Sequence, residues 1–330
     1  MYIDASAAMR NAAARGRAVP IRRRHPEMLS YLAGVVLGAL VMLAVLVYAL
    51  VGLSAAGALP PPQFSNTLCI DEKLAGMRVA PPRQPDLLVV GSSVAWRHFN
   101  TPAALAVAPG VRPYNAGFCG VRLDQTEQVA RWLTQRLPSV HRVVLVASPF
   151  DFQGCAAHRE AHFDVAEADR FVFEDASPAR FYARFFDPVT LARNATTVRA
   201  ARHDISGPDP LVQDRFGDGP SEPRTARGLF YDGGEALDPA CFAALRRMAL
   251  RLHARGQRLD VTITPLHPAW TMRYGDPRLD TQVAMALQGT GARFHPGVHT
   301  PQAGSFYDAI HLRWSGTAAY TQALMRVIGT

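Results

Sequence analysis

The feature that most constrains this chain is an uncharged run, LSYLAGVVLGALVMLAVLVYALVGLSAAGAL, from Leu29 to Leu59. A helix needs about 20 apolar residues to cross the hydrocarbon core of a bilayer, and this run supplies more. It also exceeds the usual ~7–15-residue core of a cleavable signal peptide, although SAAGA offers small residues for cleavage. The run therefore reads as an uncleaved anchor over 29–54. Arg10, Arg15, Arg17, Arg22, Arg23 and Arg24 lie before it, in a basic tail over 1–28. Arginines on the near side of a span hold that side in the cytoplasm. The expectation is a single-pass protein of the cytoplasmic (inner) membrane. The lipid bilayer is then its first partner, and everything after the anchor is extracytoplasmic (periplasmic).

Nearly half of the 330 residues are hydrophobic, enough for a sizeable core beyond the anchor. The formal charge of +8 comes almost wholly from arginine, Lys73 being the single lysine. No nucleic-acid motif accompanies that charge, so no nucleic-acid partner is expected. The four cysteines, Cys69, Cys119, Cys155 and Cys241, all follow the anchor. An even number in an oxidising compartment permits two disulfides in three connectivities, with buried free thiols as the alternative. None has the close spacing of a zinc or redox motif, and no metal site is assigned.

Residues 55–84, including LPPPQFSN, read as a stiff proline-rich linker leading into a domain over 85–330. Within that domain, DLLVV (Asp86–Val90) and RVVLVA (Arg142–Ala147) are continuous β-rich apolar runs, as expected for strands covered on both faces, and RLDVTITP (Arg258–Pro265) reads as a further strand. Helical spacing falls between them. Val129, Trp132, Leu133 and Leu137 mark one helix, with Asp124 and Glu127 as its capping box. Asp238-Pro239 opens a second, with Phe242, Leu245, Met248 and Leu252 on its apolar face. A third carries Ser315 as cap and buries Tyr320, Leu324, Val327 and Ile328. Such alternation predicts a three-layer α/β/α sandwich with a mainly parallel sheet. The stretch from about 155 to 232 is rich in Arg, Asp, Pro and aromatics and lacks clear periodicity. It reads as an insertion over one end of the sheet, a lid in form.

Reactive groups in a parallel sheet gather beyond the carboxyl ends of the strands. Three segments should meet there: Gly91-Ser92-Ser93, then YNAGFCG (Tyr114–Gly120) in a later loop, then YDAIHLRWSG (Tyr307–Gly316) before the last helix. A serine at a strand-to-helix turn points outward, where free amide donors favour a developing oxyanion. It stays a weak nucleophile until a base takes its proton. His311 could do so, with Asp308 three residues earlier to orient the ring.

These segments resemble the blocks of the SGNH, or GDSL-like, hydrolase superfamily, whose fold is a flavodoxin-like α/β/α sandwich. Its Gly-Asp-Ser is matched by Gly91-Ser92-Ser93, its Asn-x-Gly-x-x-Gly by Asn115, Gly117 and Gly120, and its Asp-x-x-His by Asp308 and His311. The resemblance implies Ser93, Asp308 and His311 as catalytic residues and the N–H groups of Ser93 and Gly120 as oxyanion donors. It implies no cofactor. A Gly-Ser-Ser form is familiar among membrane-anchored members that handle cell-envelope polymers. One departure stands out: the third block ordinarily carries an Asn that donates to the oxyanion, whereas VLVASPFDFQGC places Pro149 or Phe150 there.

Trp96, Arg97, Asn115, His267 and Trp314 flank these blocks as candidate substrate-binding residues. Cys119 precedes Gly120 and Cys155 follows a neighbouring strand end, so a Cys119–Cys155 bridge is expected to brace the oxyanion loop. Together these readings imply acyl-ester hydrolysis or O-acyl transfer on a cell-surface polysaccharide, with a membrane-bound acyltransferase as a candidate partner. The alternatives are a catalytically silent glycan-binding or scaffold protein, which the absent Asn favours, and a metal hydrolase built on His158 and His162 of HREAH.

Overall fold

The computed structural model describes residues 26–157, 162–174, 176–228, 236–274 and 276–329. It divides into two units, Met1–Ala56 and Gly57–Thr330. The first contains α1 (Pro26–Ala55), a 30-residue helix with no charged residue after Glu27. At 1.5 Å per residue it is about 45 Å long, and it is long and apolar enough to cross a membrane.

The second unit opens with α2 (Leu68–Val79), β1 (Leu87–Gly91), α3 (Ser93–His98), α4 (Thr101–Val107), β2 (Pro113–Gly117), α5 (Leu123–Arg136) and β3 (Arg142–Ala147). The expected insertion follows, as α6 (Val165–Phe173), α7 (Pro178–Arg184), α8 (Pro188–Ala195) and α9 (Val198–Ala201), with an irregular stretch after them. The chain then runs through α10 (Pro239–Ala254), β4 (Arg258–Ile263), α11 (Pro268–Tyr274), α12 (Leu279–Leu287), β5 (Arg293–Phe294) and α13 (Trp314–Ile328). The five strands are all parallel, in the order β2-β1-β3-β4-β5. This is the flavodoxin-like order, and its switch point lies between β1 and β3.

Alternation along the strands builds two cores. Leu88, Val90, Val143 and Leu145 point to one face, where they pack with residues of α2, α5, α10 and α12. Leu87, Val89, Val144 and Val146 point to the other, against α3, α4 and α13. Side chains alternate with a period of two, so a strand with helices on both sides is apolar at every position. The three-layer α/β/α fold is the one expected.

Several local expectations are corrected. Tyr114–Gly117 is not loop but strand; β2 contains Pro, Asn and Gly and lacks β-branched residues, so no strand signal was present. Helix α5 starts one residue before Asp124, and Gln125 accepts the Arg122 backbone N–H at 2.8 Å in place of an Asp124/Glu127 box. Glu127 instead binds Arg247 and Arg251 of α10. Helix α13 begins at Trp314, so Ser315 lies in its first turn, and Val327 is exposed. Pro60, Pro61 and Pro62 are buried rather than forming a free spacer, and Phe64 packs among Phe171, Phe181 and Phe185.

The disulfide expectation is also wrong. Cys119 pairs with Cys69 and Cys155 with Cys241. Cys119 follows β2 and Cys155 follows β3, and β1 lies between those strands. Two strand spacings amount to about 10 Å, beyond the ~7 Å that a bridge can span between Cα atoms. Each cysteine instead reaches a helix packed beside its own loop, α2 for Cys119 and α10 for Cys155. Non-reducing peptide mapping should recover these two pairs. Replacing Cys155 and Cys241 together by Ser should destabilise the folded unit by about 2–4 kcal/mol, read from denaturant unfolding; recovery of a Cys119–Cys155 peptide would contradict this topology.

Candidate active site

Strand β1 ends at Gly91, whose φ is +141°. A Cβ there would lie 2.1 Å from the Val146 carbonyl oxygen. Only glycine lets β1 leave the sheet beside β3 and turn at once into α3. Ser93, the first residue of α3, thereby stands half-buried at the carboxyl end of the sheet. Its backbone N–H is one of the first-turn donors that a helix leaves unpaired.

Ser93 Oγ lies 2.8 Å from His311 Nε2. His311 Nδ1 lies 2.8 Å from Asp308 Oδ2, and Asp308 Oδ1 accepts the backbone N–H groups of Ile310 (2.9 Å) and His311 (2.7 Å). A carboxylate can only accept, so Nδ1 carries the ring proton and Nε2 is left to accept from the Ser93 hydroxyl. Burial works against the Asp308 charge. His311 and the two backbone donors outweigh it, holding the carboxyl well below the ordinary range. Tyr307 lies parallel to the His311 ring, with centroids 5.5 Å apart.

Ser92 has a different task. Its hydroxyl donates to Asp151 Oδ2 at 3.0 Å, and Asp151 also accepts from the N–H and hydroxyl of Ser148. Asp151 is buried, and burial pushes its carboxyl up to about 6 against those hydrogen bonds. The turn after β1 is thus tied to the turn after β3, across the switch point. Gly120 has φ +68°, and its N–H meets no acceptor among the described residues. At the strand end where a side-chain amide is absent, Phe150 packs against Trp270 and its carbonyl accepts from the Arg122 guanidinium.

The five candidate substrate-binding residues separate. Asn115 is wholly buried. Its amide donates to Ala95 O (3.0 Å), Trp96 O (3.2 Å) and Asp218 Oδ1 (3.1 Å), and its oxygen accepts from Gly117 N (3.0 Å). Its nitrogen and its oxygen both bond inside the protein and the side chain is fully buried, so it faces no substrate. Trp96 is buried, and the Arg97 guanidinium lies 3.9 Å above its ring. Arg97 donates to the carbonyls of Pro210 and Gly219, and burial lowers it to about 10. Both residues fasten the inserted segment rather than lining an open site. His267 and Trp314 are half-buried. His267 caps α11, accepting from Ala269 N at 3.2 Å, while its own N–H donates to the Ala309 carbonyl at 2.9 Å. His158 lies outside the described residues, and His162 is exposed.

Sequence reasoning missed His98, which is fully buried. Its Nε2 accepts the Leu312 N–H at 2.8 Å, so Nδ1 is the donor towards Thr264 Oγ1 at 2.6 Å. Burial, reinforced by nearby His311, drives its pKa well below the ordinary value and keeps the ring neutral. The last residue of α3 therefore holds the chain immediately after His311. A lone histidine in AWRHFN carries no signal of this.

Loss of the Asn115 amide would strand several buried polar groups at once, each costing ~1–3 kcal/mol. Asn115→Ala should therefore lower the calorimetric midpoint of the folded unit by several degrees or more. A midpoint equal to that of the unsubstituted protein would return Asn115 to the substrate-facing set.

No family model and no curated protein matches this chain. Among solved structures, the chain is similar to an acetylxylan esterase from Geobacillus stearothermophilus. A catalytic mutant of that enzyme shares 14% identity over 76% of this chain and 96% of its own, with a TM-score of 0.38. The acetylxylan esterase itself shares 14% over 74% and 94%, with a TM-score of 0.35.

Proposed function

We propose that this chain is an extracytoplasmic serine esterase or O-acyltransferase of SGNH type, held at the membrane by α1 and acting on a cell-envelope polysaccharide. The observation that carries the reading is the unbroken relay from Ser93 Oγ through His311 to Asp308. In the first step Ser93 Oγ bonds to the ester carbonyl carbon as its proton passes to His311 Nε2. The Asp308 carboxylate stabilises the imidazolium so formed. The oxyanion lies towards the N–H groups of Ser93 and Gly120. Collapse expels the sugar oxygen, which takes the proton back from His311 and leaves an acyl group on Ser93. In the second step water or an acceptor hydroxyl gives its proton to His311 as its oxygen bonds to the acyl carbon; the Ser93–acyl bond then breaks and His311 returns that proton to Ser93 Oγ. The relay asks for no cofactor.

Loss of one oxyanion donor typically costs ~10²–10³ in rate, so the absent block-three amide fits a slow or specialised enzyme. Transfer is favoured over plain hydrolysis because the inserted segment can shield the acyl-enzyme from water. Supporting this, its residues from Pro210 to Glu222 contact both α3 and the start of α13. Export and an amino terminus in the cytoplasm are supported by the six arginines before α1.

A fluorophosphonate should label the protein at Ser93. Ser93→Ala should abolish labelling and lower ester cleavage on the order of 10⁴–10⁶-fold, whereas Ser92→Ala should retain most activity; an active Ser93→Ala protein would overturn the assignment. With a chromogenic acetyl ester, an added oligosaccharide should speed turnover and become acetylated; rapid hydrolysis that no glycan diverts would assign an esterase.

A further inference from the structure

The inserted helices α7, α8 and α9 present a surface that ester chemistry does not use. Arg180, Arg184, Arg193 and Arg199 are exposed on it, and Asp187 is the only acidic residue between Pro178 and His203. Phe186 and Val189 stand out beside them, 44% and 74% exposed. Phe186 lines a groove together with Pro60, Pro61, Pro62 and Asp187. Arg184 also lies 3.4 Å from Glu167 of α6, yet four exposed arginines against the one nearby aspartate leave a net positive charge, and open apolar residues among predominantly basic ones are the composition of a face that lies in a lipid interface.

The same helices grip the chain where it leaves α1. Arg202, just past α9, donates to the carbonyls of Gly57 (3.2 Å) and Leu59 (3.0 Å), and Tyr182 donates to that of Pro60 (2.6 Å). Arg202 is itself fixed by two bonds to Glu72, at 2.9 and 2.7 Å. Leu59 lies four residues beyond the last residue of α1, a reach of at most about 14 Å. A helix about 45 Å long that crosses a hydrocarbon core of ~30 Å ends among the headgroups. Covalent reach alone then holds α7–α9 close to that leaflet. At such effective concentration even weak attraction suffices for docking.

We propose that α7–α9 rest on the membrane that α1 spans. Arg180, Arg184, Arg193 and Arg199 meet anionic lipid headgroups, and Phe186 and Val189 enter the acyl boundary. The proposal rests on the reading of α1 as a span. Each arginine near an anionic surface strengthens partitioning roughly fivefold. The docked pose stops the folded unit from swinging on its tether and presents its site at a set height above the bilayer.

The four native cysteines are all paired, so one added cysteine in the full chain takes a nitroxide label cleanly. Val41→Cys reports on α1, Val189→Cys on the proposed surface, and Met285→Cys on an exposed position of α12, beside the edge strand β5. In nanodiscs containing phosphatidylglycerol, the Val41 label should be hidden from an aqueous nickel chelate. The Val189 label should be several-fold less accessible there than in detergent, and the Met285 label unchanged. Replacing the four arginines by Gln should restore Val189 access. A Val189 label equally open in nanodiscs and detergent, with the Val41 label hidden, would overturn the docking and leave the anchor standing. A Val41 label open to the chelate would remove the anchor reading and the docking with it. Spin–spin coupling between Val189 labels of two chains would assign the surface to a second copy and overturn the lipid assignment.

Discussion

The Asn115 amide joins the parts on which the site depends. It binds two carbonyls of α3, the backbone N–H of Gly117 in β2 and the buried Asp218 carboxylate of the insertion. Asp218 in turn accepts the Thr101 N–H, at the head of α4. The backbone of Asn115 is held as well: its N–H donates to Phe216 O, and its carbonyl accepts from Lys73, the single lysine of the chain. Burial lowers the Lys73 pKa to about 7, with Asp218 and Asp214 acting against that shift. Hydrogen bonds among buried groups of this kind are strengthened by the low local dielectric. The helix that carries Ser93, the strand that leads to Gly120 and the inserted segment are therefore set as one piece.

Two histidines at the same sheet end show how partners divide roles. His98 and His311 sit edge to face, 6.1 Å apart. His311 faces a carboxylate on one nitrogen and a serine hydroxyl on the other, the arrangement of a base. His98 is fully buried and faces a backbone donor and a threonine, which keeps it neutral and fixed in place. Identical side chains thus acquire different chemistry from what each ring nitrogen meets. Because His98 closes α3 and holds Leu312, it ties the segment that carries Ser93 to the segment that carries His311.

The insertion links this site to the chain's exit from α1. Its helices hold Gly57, Leu59 and Pro60. Its later residues fasten Trp96 and Arg97 of α3 and reach Ser315 through Glu222. A proline-rich segment that reads as a spacer is in fact packed under aromatic residues. The folded unit consequently starts within a residue or two of the end of α1.

The amino-acid sequence by itself determined the long apolar helix, the α/β class and the approach of Ser93, Asp308 and His311. Those features are local: an uncharged run, apolar strands covered on both faces, and a Gly-Ser-Ser turn and an Asp-x-x-His step whose order sets their place in a parallel sheet. The partners of Asn115, Trp96 and Arg97, the role of His98, the strand β2 and the cysteine pairing were decided only by tertiary structure. Each depends on which strand lies beside which. The cysteine pairing follows from β1 standing between β2 and β3, and the burial of Asn115 follows from the segment around Phe216 and Asp218 covering the edge strand. Those arrangements arise from contacts between distant parts of the chain, 50 and 86 residues apart for the two cysteine pairs and 103 for Asn115 and Asp218, which composition and periodicity do not encode.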